Sequence, residues 1–367
     1  MIIRNAMVFQ EDGTFLKKNI YIEKGFLVSS EKEVTDKTEF DAGGLKAIPG
    51  LVDIHSHGAF GHDFCDADRE GLKVILKYEK EHGITSYCPT SMTLSKEQLL
   101  DIFSSVKDME TSSDMARIAG INMEGPFVDV KKKGAQAAEH ICPPDPEFFR
   151  LCNERCGNII KLVTLSPKED GALDFIRELK DEVTISIGHT TADYDCTKAA
   201  MEAGAAHVTH LFNAMPPFAH RDPGVIGAAL DTENCMAELI CDGYHIHPSM
   251  IRAAFKMFGE ERICLISDSM MATGMPDGQY ELGGQAVYMK DRFASLADGT
   301  LAGSATNLFD CMKKAMEFGI PESAAIFAAT RNPAKSIGIY DKTGSITPGK
   351  YGDLLIVDDQ YNLKKVI

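Results

Sequence analysis

Two histidines one residue apart, His55 and His57, have the clearest potential for chemistry in this 367-residue sequence. They follow the mostly apolar stretch Leu51–Ile54, which comes after a Pro49-Gly50 turn and is typical of a short buried strand. Side chains alternate between the faces of a strand, so both imidazoles point the same way, roughly 6–7 Å apart, and could bind one metal ion. An isolated pair of this kind could equally be two unrelated polar residues at a strand end.

Four further residues that can bind a metal or transfer a proton come directly after apolar runs. They are Glu124, His189, His210 and Asp268. Any one of them could be an ordinary polar residue at a strand end, but packing alone does not explain why all of them end successive runs. Three or four nitrogen and oxygen ligands with one open position form a catalytic metal site. A carboxylate that reaches two ions would support a two-metal centre, with the ions roughly 3.5–4 Å apart.

An alternation of strand-like runs and helical patterns predicts the elements that position these residues. Eight strands are predicted to end near His57, Pro89, Glu124, Thr164, His189, His210, Asp242 and Asp268. Helices are predicted over residues 69–82, from 95 onward, and over 145–156, 168–180, 193–203, 248–258 and 305–318. The helix from Ser95 begins with the capping-box pattern Ser95-x-x-Gln98. This order predicts an α/β fold, a (β/α)8 TIM barrel whose active site lies at the carboxyl ends of the strands.

Both ends of the chain are rich in short β-strand patterns, and neither is long enough to bury a sheet alone. We therefore expect residues 1–48 and 340–367 to pair into a small discontinuous β-sandwich domain beside a barrel formed by residues 49–339. Residues 278–303 have glycine-punctuated β-patterns, which predict a hairpin at the catalytic face that could cover a substrate.

Composition limits the classes of partner. A formal net charge of −16 and a pI near 5.1 argue against nucleic acid or an acidic membrane surface. No apolar run reaches membrane-spanning length, the N-terminus lacks a signal-peptide pattern, and ten scattered cysteines indicate reduced thiols, so we expect a cytoplasmic protein. An anionic substrate would need backbone amides and a few local cations.

The residues at the predicted strand ends belong to recognisable motifs. These are His-x-His at 55–57, Glu-Gly-Pro-Phe at 124–127, Gly-His-Thr at 188–190, His-Leu-Phe-Asn-Ala-Met at 210–215, Asp-Gly-x-His at 242–245 and Ser-Asp at 267–268. Together they resemble the amidohydrolase superfamily and, within it, the deacetylases of amino-sugar phosphates. The resemblance covers nearly the whole chain, including the small domain built from both termini. His-x-His alone would be a weak signal, whereas the combination is highly specific.

The resemblance implies a divalent metal centre, with zinc, iron, manganese or cobalt as the candidate ions. The implied ligands are His55, His57 and Asp268 for one cation, His189 and His210 for a second, and Glu124 as a bridge where many relatives use a carbamylated lysine. Some members lack the His-x-His pair and use one metal, so its presence favours two. The implied catalytic residue is Asp268, which would accept a proton from water and pass it to the leaving nitrogen.

The implied reaction is hydrolysis of N-acetylglucosamine 6-phosphate to glucosamine 6-phosphate and acetate, in amino-sugar catabolism. Asn213 and the backbone at Ala214 would bind the phosphate, and His245 would bind the sugar. Arg221 would reach the phosphate across a homodimer interface, although by itself it could be a solvated loop charge. Gln136 stands where some relatives have a histidine near the acetyl group, and glutamine can offer only hydrogen bonds there.

Other readings stay open. The substrate could be N-acetylgalactosamine 6-phosphate or another N-acyl compound, because the configuration of a single hydroxyl group is decided by loop contacts. A non-catalytic assembly protein would be expected to have lost ligands, and none is missing; a metal-storage protein would not need Asp268. Lys131–Lys133 is interpreted as a solvated run, and His207, three residues before His210, is expected to face away from the barrel mouth.

Overall fold

A computed structural model describes all residues, 1–367, and its centre is a ring of eight parallel strands. The strands are Leu51–Ser56, Ile84–Ser91, Ile121–Glu124, Ile160–Leu165, Thr184–Ile187, His207–Val208, Met236–Ile240 and Ile263–Ile266. Every predicted strand end lies within two residues of an observed one. Neighbours in the chain pair in parallel from the first strand to the eighth. The ring nearly closes where Asp268 N donates to His55 O at 2.9 Å, and the predicted (β/α)8 barrel is confirmed.

Helices surround the barrel. They are Arg69–Glu81, Lys96–Val106, Pro146–Arg155, Ala172–Leu179, Tyr194–Ala203, Gly224–Leu230, Pro248–Phe258, Leu308–Glu317, Glu322–Ala329 and Arg331–Ser336. The capping box is confirmed, because Gln98 N donates to Ser95 Oγ at 3.2 Å. No helix is both long and apolar enough to cross a membrane.

Three of these helices were not predicted from the sequence: Gly224–Leu230, Glu322–Ala329 and Arg331–Ser336. Glu322–Ala329 is buried on every side from Ala324 onward. It therefore has no polar stripe, and without one the sequence shows no helical periodicity. The helix predicted from residue 168 begins only at Ala172, after a turn in which Gly171 has a φ of 83°.

Strands from both termini form one hydrogen-bonded sheet beside the barrel. Its strands are Ile2–Phe9, Phe15–Glu23, Phe26–Val28, Glu39–Asp41, Lys46–Pro49, Leu354–Val357 and Leu363–Val366. Leu354–Val357 pairs antiparallel with Lys46–Pro49, so the predicted association of the two chain ends is confirmed. Ten buried apolar residues form a separate core for this sheet. The domain boundaries after residues 48 and 339 stay a prediction.

The segment predicted as a hairpin is a three-stranded antiparallel meander. Its strands are Gly278–Leu282, Gln285–Lys290 and Phe293–Ser295, so the prediction missed the third strand. Val287 and Met289 point inward into a small apolar cluster that also contains Met92 and Met270. This cluster anchors the meander above the carboxyl ends of the barrel strands.

The remaining regular elements are short. The strand pair Gly58–Ala59 and His62–Asp63 follows the first barrel strand, and Arg117–Ile118 flanks the second. Short 3-10 helices span Glu31–Glu33, Phe64–Asp66, Val130–Lys132 and Ala138–His140. The main apolar core, a cluster of 69 buried residues, includes residues of the barrel strands and of the surrounding helices and supplies the rigid support for the strand ends.

Candidate metal centre

The structure brings the six predicted metal ligands together at the carboxyl ends of the strands. Glu124 lies at their centre: its Oε1 is 3.1 Å from Nε2 of both His189 and His210 and 3.4 Å from Nε2 of His55. The other oxygen, Oε2, is 3.5 Å from Nε2 of His57. Two groups that could each hold a metal ion therefore share this one carboxylate.

Asp268 joins the group from the eighth strand. Its Oδ1 lies 3.2 Å from Nε2 of His57 and 3.6 Å from Nε2 of His55. The side chain also lines a cavity of about 530 Å³ that opens at this end of the barrel. Asp268 is therefore placed where it can reach both the histidine pair and a molecule in the cavity.

The protonation of the imidazoles fits a metal centre. Nδ1 of His57 donates to the carbonyl of Thr90 at 3.1 Å, and Nδ1 of His189 donates to the carbonyl of Lys132 at 2.9 Å. A carbonyl can only accept, so in the neutral rings Nε2 carries a lone pair that points toward Glu124. Nε2 of His189 and Nε2 of His210 lie only 3.0 Å apart, and Nε2 of His55 has no hydrogen-bond partner. Shared coordination of cations would satisfy these crowded, buried nitrogens.

Three of the same residues have a strained backbone. His189, His210 and Asp268 have φ values of 46°, 25° and 50°. Residues other than glycine rarely adopt such values, and each costs about 1–3 kcal/mol. Three strained residues in one cluster indicate that their surroundings hold these side chains in fixed positions.

Both acidic groups are carboxylates in spite of their burial. Burial raises the pKa of Glu124, but the surrounding histidines, His55 and His189 foremost, bring it well below its usual range. Burial also raises the pKa of Asp268, and the hydrogen bond with His57 together with nearby imidazoles lowers it below its usual value. Carboxylate oxygens and imidazole nitrogens are both ligands that divalent transition-metal ions accept.

Glu238, in the seventh strand, is a contact of this centre that sequence reasoning missed. It is completely buried, and its Oε2 accepts a hydrogen bond from Nδ1 of His55 at 2.9 Å. The only local signal is one acidic residue in the otherwise apolar run Met236–Cys241. That signal does not say which histidine the carboxylate contacts. His207, which was expected to have no part in the site, is buried near Glu238 and away from the cavity.

Gln136 is buried and hydrogen-bonded to the centre. Its Oε1 accepts from Thr93 N at 2.6 Å, which fixes the orientation of the amide, and its Nε2 donates to Oε2 of Glu124 at 2.7 Å. Gln136 therefore orients a predicted metal ligand and also lines the cavity.

The predicted substrate residues divide into two groups. Asn213, Ala214 and His245 line the cavity together with the metal centre. The N–H of Ala214 donates to no group in the chain, and His245 Nδ1 donates to Asp242 Oδ2 at 2.7 Å. Arg221 is exposed and does not line the cavity of its own chain.

Lys131–Lys133 lines the cavity, with Lys131 exposed and the other two half-buried, so the interpretation of this run as solvated stays a prediction. The 3-10 helix Val130–Lys132 lines the cavity, and the carbonyl of Lys132 also accepts from His189. These lysines are the only basic side chains other than histidine that line it.

A second cavity, of about 610 Å³, lies at the opposite end of the barrel. Its lining includes Thr184, Met236 and Ser336, with acidic and basic side chains in equal number, but no histidine. Although this cavity is larger, the strained residues and the converging ligands are all at the carboxyl end of the strands. The chemistry is therefore assigned to the carboxyl end.

This chain is similar in sequence to proteins of a known family. Residues 47–367 match the sequence profile described as the Amidohydrolase family. A protein of Bacillus subtilis (strain 168) named N-acetylglucosamine-6-phosphate deacetylase is 43% identical over 316 residues, which cover 84% of this chain and 80% of that protein. The chain belongs to the amidohydrolase family. It is a hydrolase with the metal-dependent chemistry of that family.

Two solved structures superpose on the whole length of this amidohydrolase. N-acetylglucosamine-6-phosphate deacetylase of Pasteurella multocida superposes with a TM-score of 0.92 at 27% identity, covering 100% of this chain and 97% of that one. A mutant of the Mycobacterium smegmatis enzyme, solved in complex with N-acetyl-D-glucosamine-6-phosphate, has a TM-score of 0.91 at 29% identity, with 100% and 97% covered. The barrel and the sheet from both termini are thus shared with these amidohydrolases.

Proposed function

We propose that this amidohydrolase converts N-acetylglucosamine 6-phosphate and water to glucosamine 6-phosphate and acetate, as a step of amino-sugar catabolism. The observation that carries the proposal is the convergence of four imidazoles and two carboxylates, of which all but His55 line one cavity. The names of the Bacillus subtilis and Pasteurella multocida relatives support the choice of substrate.

We propose two divalent cations per chain, of zinc, iron, manganese or cobalt. The residues that would hold them are His55, His57 and Asp268 on one side, His189 and His210 on the other, and Glu124 between them. When bound, such ions make water more acidic and polarise a carbonyl oxygen. Each ion would be held by nitrogen and oxygen ligands, a set that suits all four metals.

Asp268 is the proposed catalytic residue. Its carboxylate form, favoured by the neighbouring imidazoles, can accept a proton from the attacking water. The same group would then deliver that proton to the nitrogen of the departing amino sugar, because an amine leaves more easily once it is protonated. Its position at the cavity wall supports both roles.

The remaining cavity residues would bind the sugar phosphate. The free N–H of Ala214 and the side chain of Asn213 would bind the phosphate, and His245, oriented by Asp242, would bind the sugar. We further propose a homodimer in which the partner subunit's Arg221 reaches the phosphate. Gln136 would act through Glu124, since its Nε2 already donates to that carboxylate.

We propose a cytoplasmic location. All ten cysteines are free thiols, and seven of them are buried. Such thiols persist in a reducing compartment.

The decisive experiment measures acetate release by purified protein from N-acetylglucosamine 6-phosphate and N-acetylgalactosamine 6-phosphate, together with metal analysis of the same sample. The proposal expects the glucosamine epimer to have the higher kcat/KM and expects release to depend on the metal. A preference for the galactosamine epimer would change the assigned substrate. No release from either compound by metal-loaded protein would refute the proposed activity.

A further inference from the structure

Glu238 contacts both halves of the candidate metal centre without facing the cavity. It is completely buried in the strand Met236–Ile240 and does not line the cavity. Its neighbours Ala237 and Leu239 belong to the main apolar core between strands and helices. Because side chains alternate along a strand, the carboxylate of Glu238 points into the barrel.

One oxygen of Glu238 accepts two hydrogen bonds. Nδ1 of His55 donates to Oε2 at 2.9 Å, and the backbone N–H of His210 donates to the same atom at 3.0 Å. His55 belongs to one possible metal-binding group and His210 to the other. A single buried atom therefore connects the two groups.

These two hydrogen bonds orient the imidazole of His55 and the backbone of His210. A proton held on Nδ1 of His55 leaves the lone pair of Nε2 directed at Glu124, 3.4 Å away. The backbone of His210 has a φ of 25°, a strained value, and the hydrogen bond to Glu238 helps to hold it there. Without the carboxylate, both donors would be buried without a partner.

The second oxygen of Glu238 faces away from the centre. Oε1 lies 3.2 Å from Nε2 of His207, whose Nδ1 is 2.7 Å from the hydroxyl oxygen of Ser336. The carboxylate is thus lodged between two imidazoles, His55 and His207. The two atoms do not form a hydrogen bond, so the hydrogen bonds of Glu238 are those made by its other oxygen.

We propose that Glu238 is a positioning residue that holds both ligand groups of the metal centre. It keeps His55 in the tautomer that presents Nε2 to a cation and holds the strained backbone of His210. Outer partners of metal-bound histidines contribute about 10–100-fold to metal affinity. This role rests on the proposed metal centre and is the same whichever amide the protein hydrolyses.

The first test titrates Zn²⁺ into the full-length, chelator-treated protein and compares wild type with Glu238→Gln. Glutamine keeps the volume of the side chain and removes its charge. We expect the Zn²⁺ dissociation constant to rise by about 10–100-fold. Glu238→Gln protein that binds Zn²⁺ as tightly as wild type would overturn the proposal.

Asp242→Asn is the matched control. Asp242 is also a carboxylate at the end of the same strand that accepts from a histidine, at 2.7 Å from His245 Nδ1, but it contacts none of the six predicted ligands. We expect its Zn²⁺ affinity to equal that of wild type. An equal loss of affinity in both variants would show a general effect of removing a buried charge and would also overturn the proposal.

A measurement on the wild type covers the case in which Glu238→Gln does not fold. Nitrogen NMR of the Zn²⁺-loaded protein, labelled in its histidines, reports which ring nitrogen of His55 carries the proton. We expect a protonated Nδ1 and a zinc-shifted Nε2. Zinc on Nδ1 of His55, or a proton on its Nε2, would contradict the assigned contact.

Discussion

Burial makes the ionised form of a carboxyl group costly, and Glu79 is the clearest case outside the metal centre. It is completely buried on the helix Arg69–Glu81, and neither carboxyl oxygen has a hydrogen-bond partner. Burial raises its pKa well above the usual value, and the charge of nearby Asp53 raises it further. Glu79 is therefore protonated in the folded state, because a buried carboxylate without a partner would be far more costly.

Glu79→Gln should make the unfolding free energy less dependent on pH. The pKa of Glu79 is higher in the folded than in the unfolded state, so its contribution is fully present below the unfolded value, about 4.3, and is lost as the pH rises toward the folded value. We expect the unfolding free energy of wild type to fall relative to that of Glu79→Gln by up to about 1.4 kcal/mol per pH unit in this window. Urea unfolding at several pH values measures the difference.

Glu81→Gln, a change at an exposed residue of the same helix, is the control and should follow wild type at every pH. A difference between Glu79→Gln and wild type that does not change with pH would show that folding leaves the pKa of Glu79 unchanged. It would contradict the assigned proton.

Asp268→Asn should abolish turnover while the fold is preserved. Asparagine has nearly the same shape but cannot accept the proton of the attacking water, and general acid–base groups contribute about 10²–10⁴-fold to rate. Acetate release and circular dichroism of the same preparation check the two parts of the prediction. Near-normal activity would refute the proposed role of Asp268.

At the scale of elements, the segment 129–136 connects the cavity mouth to the metal centre. The carbonyl of Lys132 accepts from His189, and the side chain of Gln136 donates to Glu124. The meander contacts the same segment, because Gln285 Nε2 donates to the carbonyl of Ala135. One short loop therefore orients two predicted ligands and presents basic side chains to the cavity.

Replacing Lys131 and Lys132 together by glutamine should weaken binding of the phosphorylated substrate. Each lost charge–phosphate contact is worth about 1 kcal/mol, so the loss of two should raise KM by about thirtyfold. The backbone carbonyl that holds His189 is unchanged, and kcat should change little. N-acetylglucosamine without phosphate is the control substrate, and an equal rise of KM for both compounds would argue against a phosphate contact.

At the scale of the whole molecule, the strand Leu354–Val357 joins the two parts of the fold. Leu354 and Ile356 belong to the core of the terminal sheet, whereas Leu355 and Val357 belong to the main core of the barrel. The two faces of one strand are thus buried in different cores. This alternation ties the end of the chain to the barrel as firmly as to its own sheet.

Leu355→Ala should therefore destabilise the barrel and not only the terminal sheet. A buried leucine replaced by alanine costs about 2–5 kcal/mol. Thermal unfolding followed by near- and far-ultraviolet circular dichroism should show one transition at a lower Tm. Leu363→Ala, at a half-buried position of the last strand, should have a smaller effect, and a separate early transition of the sheet would contradict this coupling.

Metal removal should also lower the stability of the whole barrel. The six predicted ligands come from five of its eight strands or from the residues that directly follow them, so a bound cation connects them across the ring. A ligand at 100 times its Kd stabilises a fold by about 2.7 kcal/mol. Chelation should lower Tm and Zn²⁺ should restore it, as measured by calorimetry; a Tm that chelation leaves unchanged would refute a strong metal link.

The sequence by itself determined the barrel, the pairing of the chain ends and the set of polar residues at the strand ends. These follow from local patterns, because neighbouring residues show the periods of strands and helices, and each ligand lies at the end of its strand or just after it. Only the tertiary structure decided that Glu238 holds His55, that Gln136 orients Glu124 and that Lys131–Lys133 lines the cavity. Such contacts join residues far apart in the chain, and their partners depend on strand register and loop path, which no local pattern encodes.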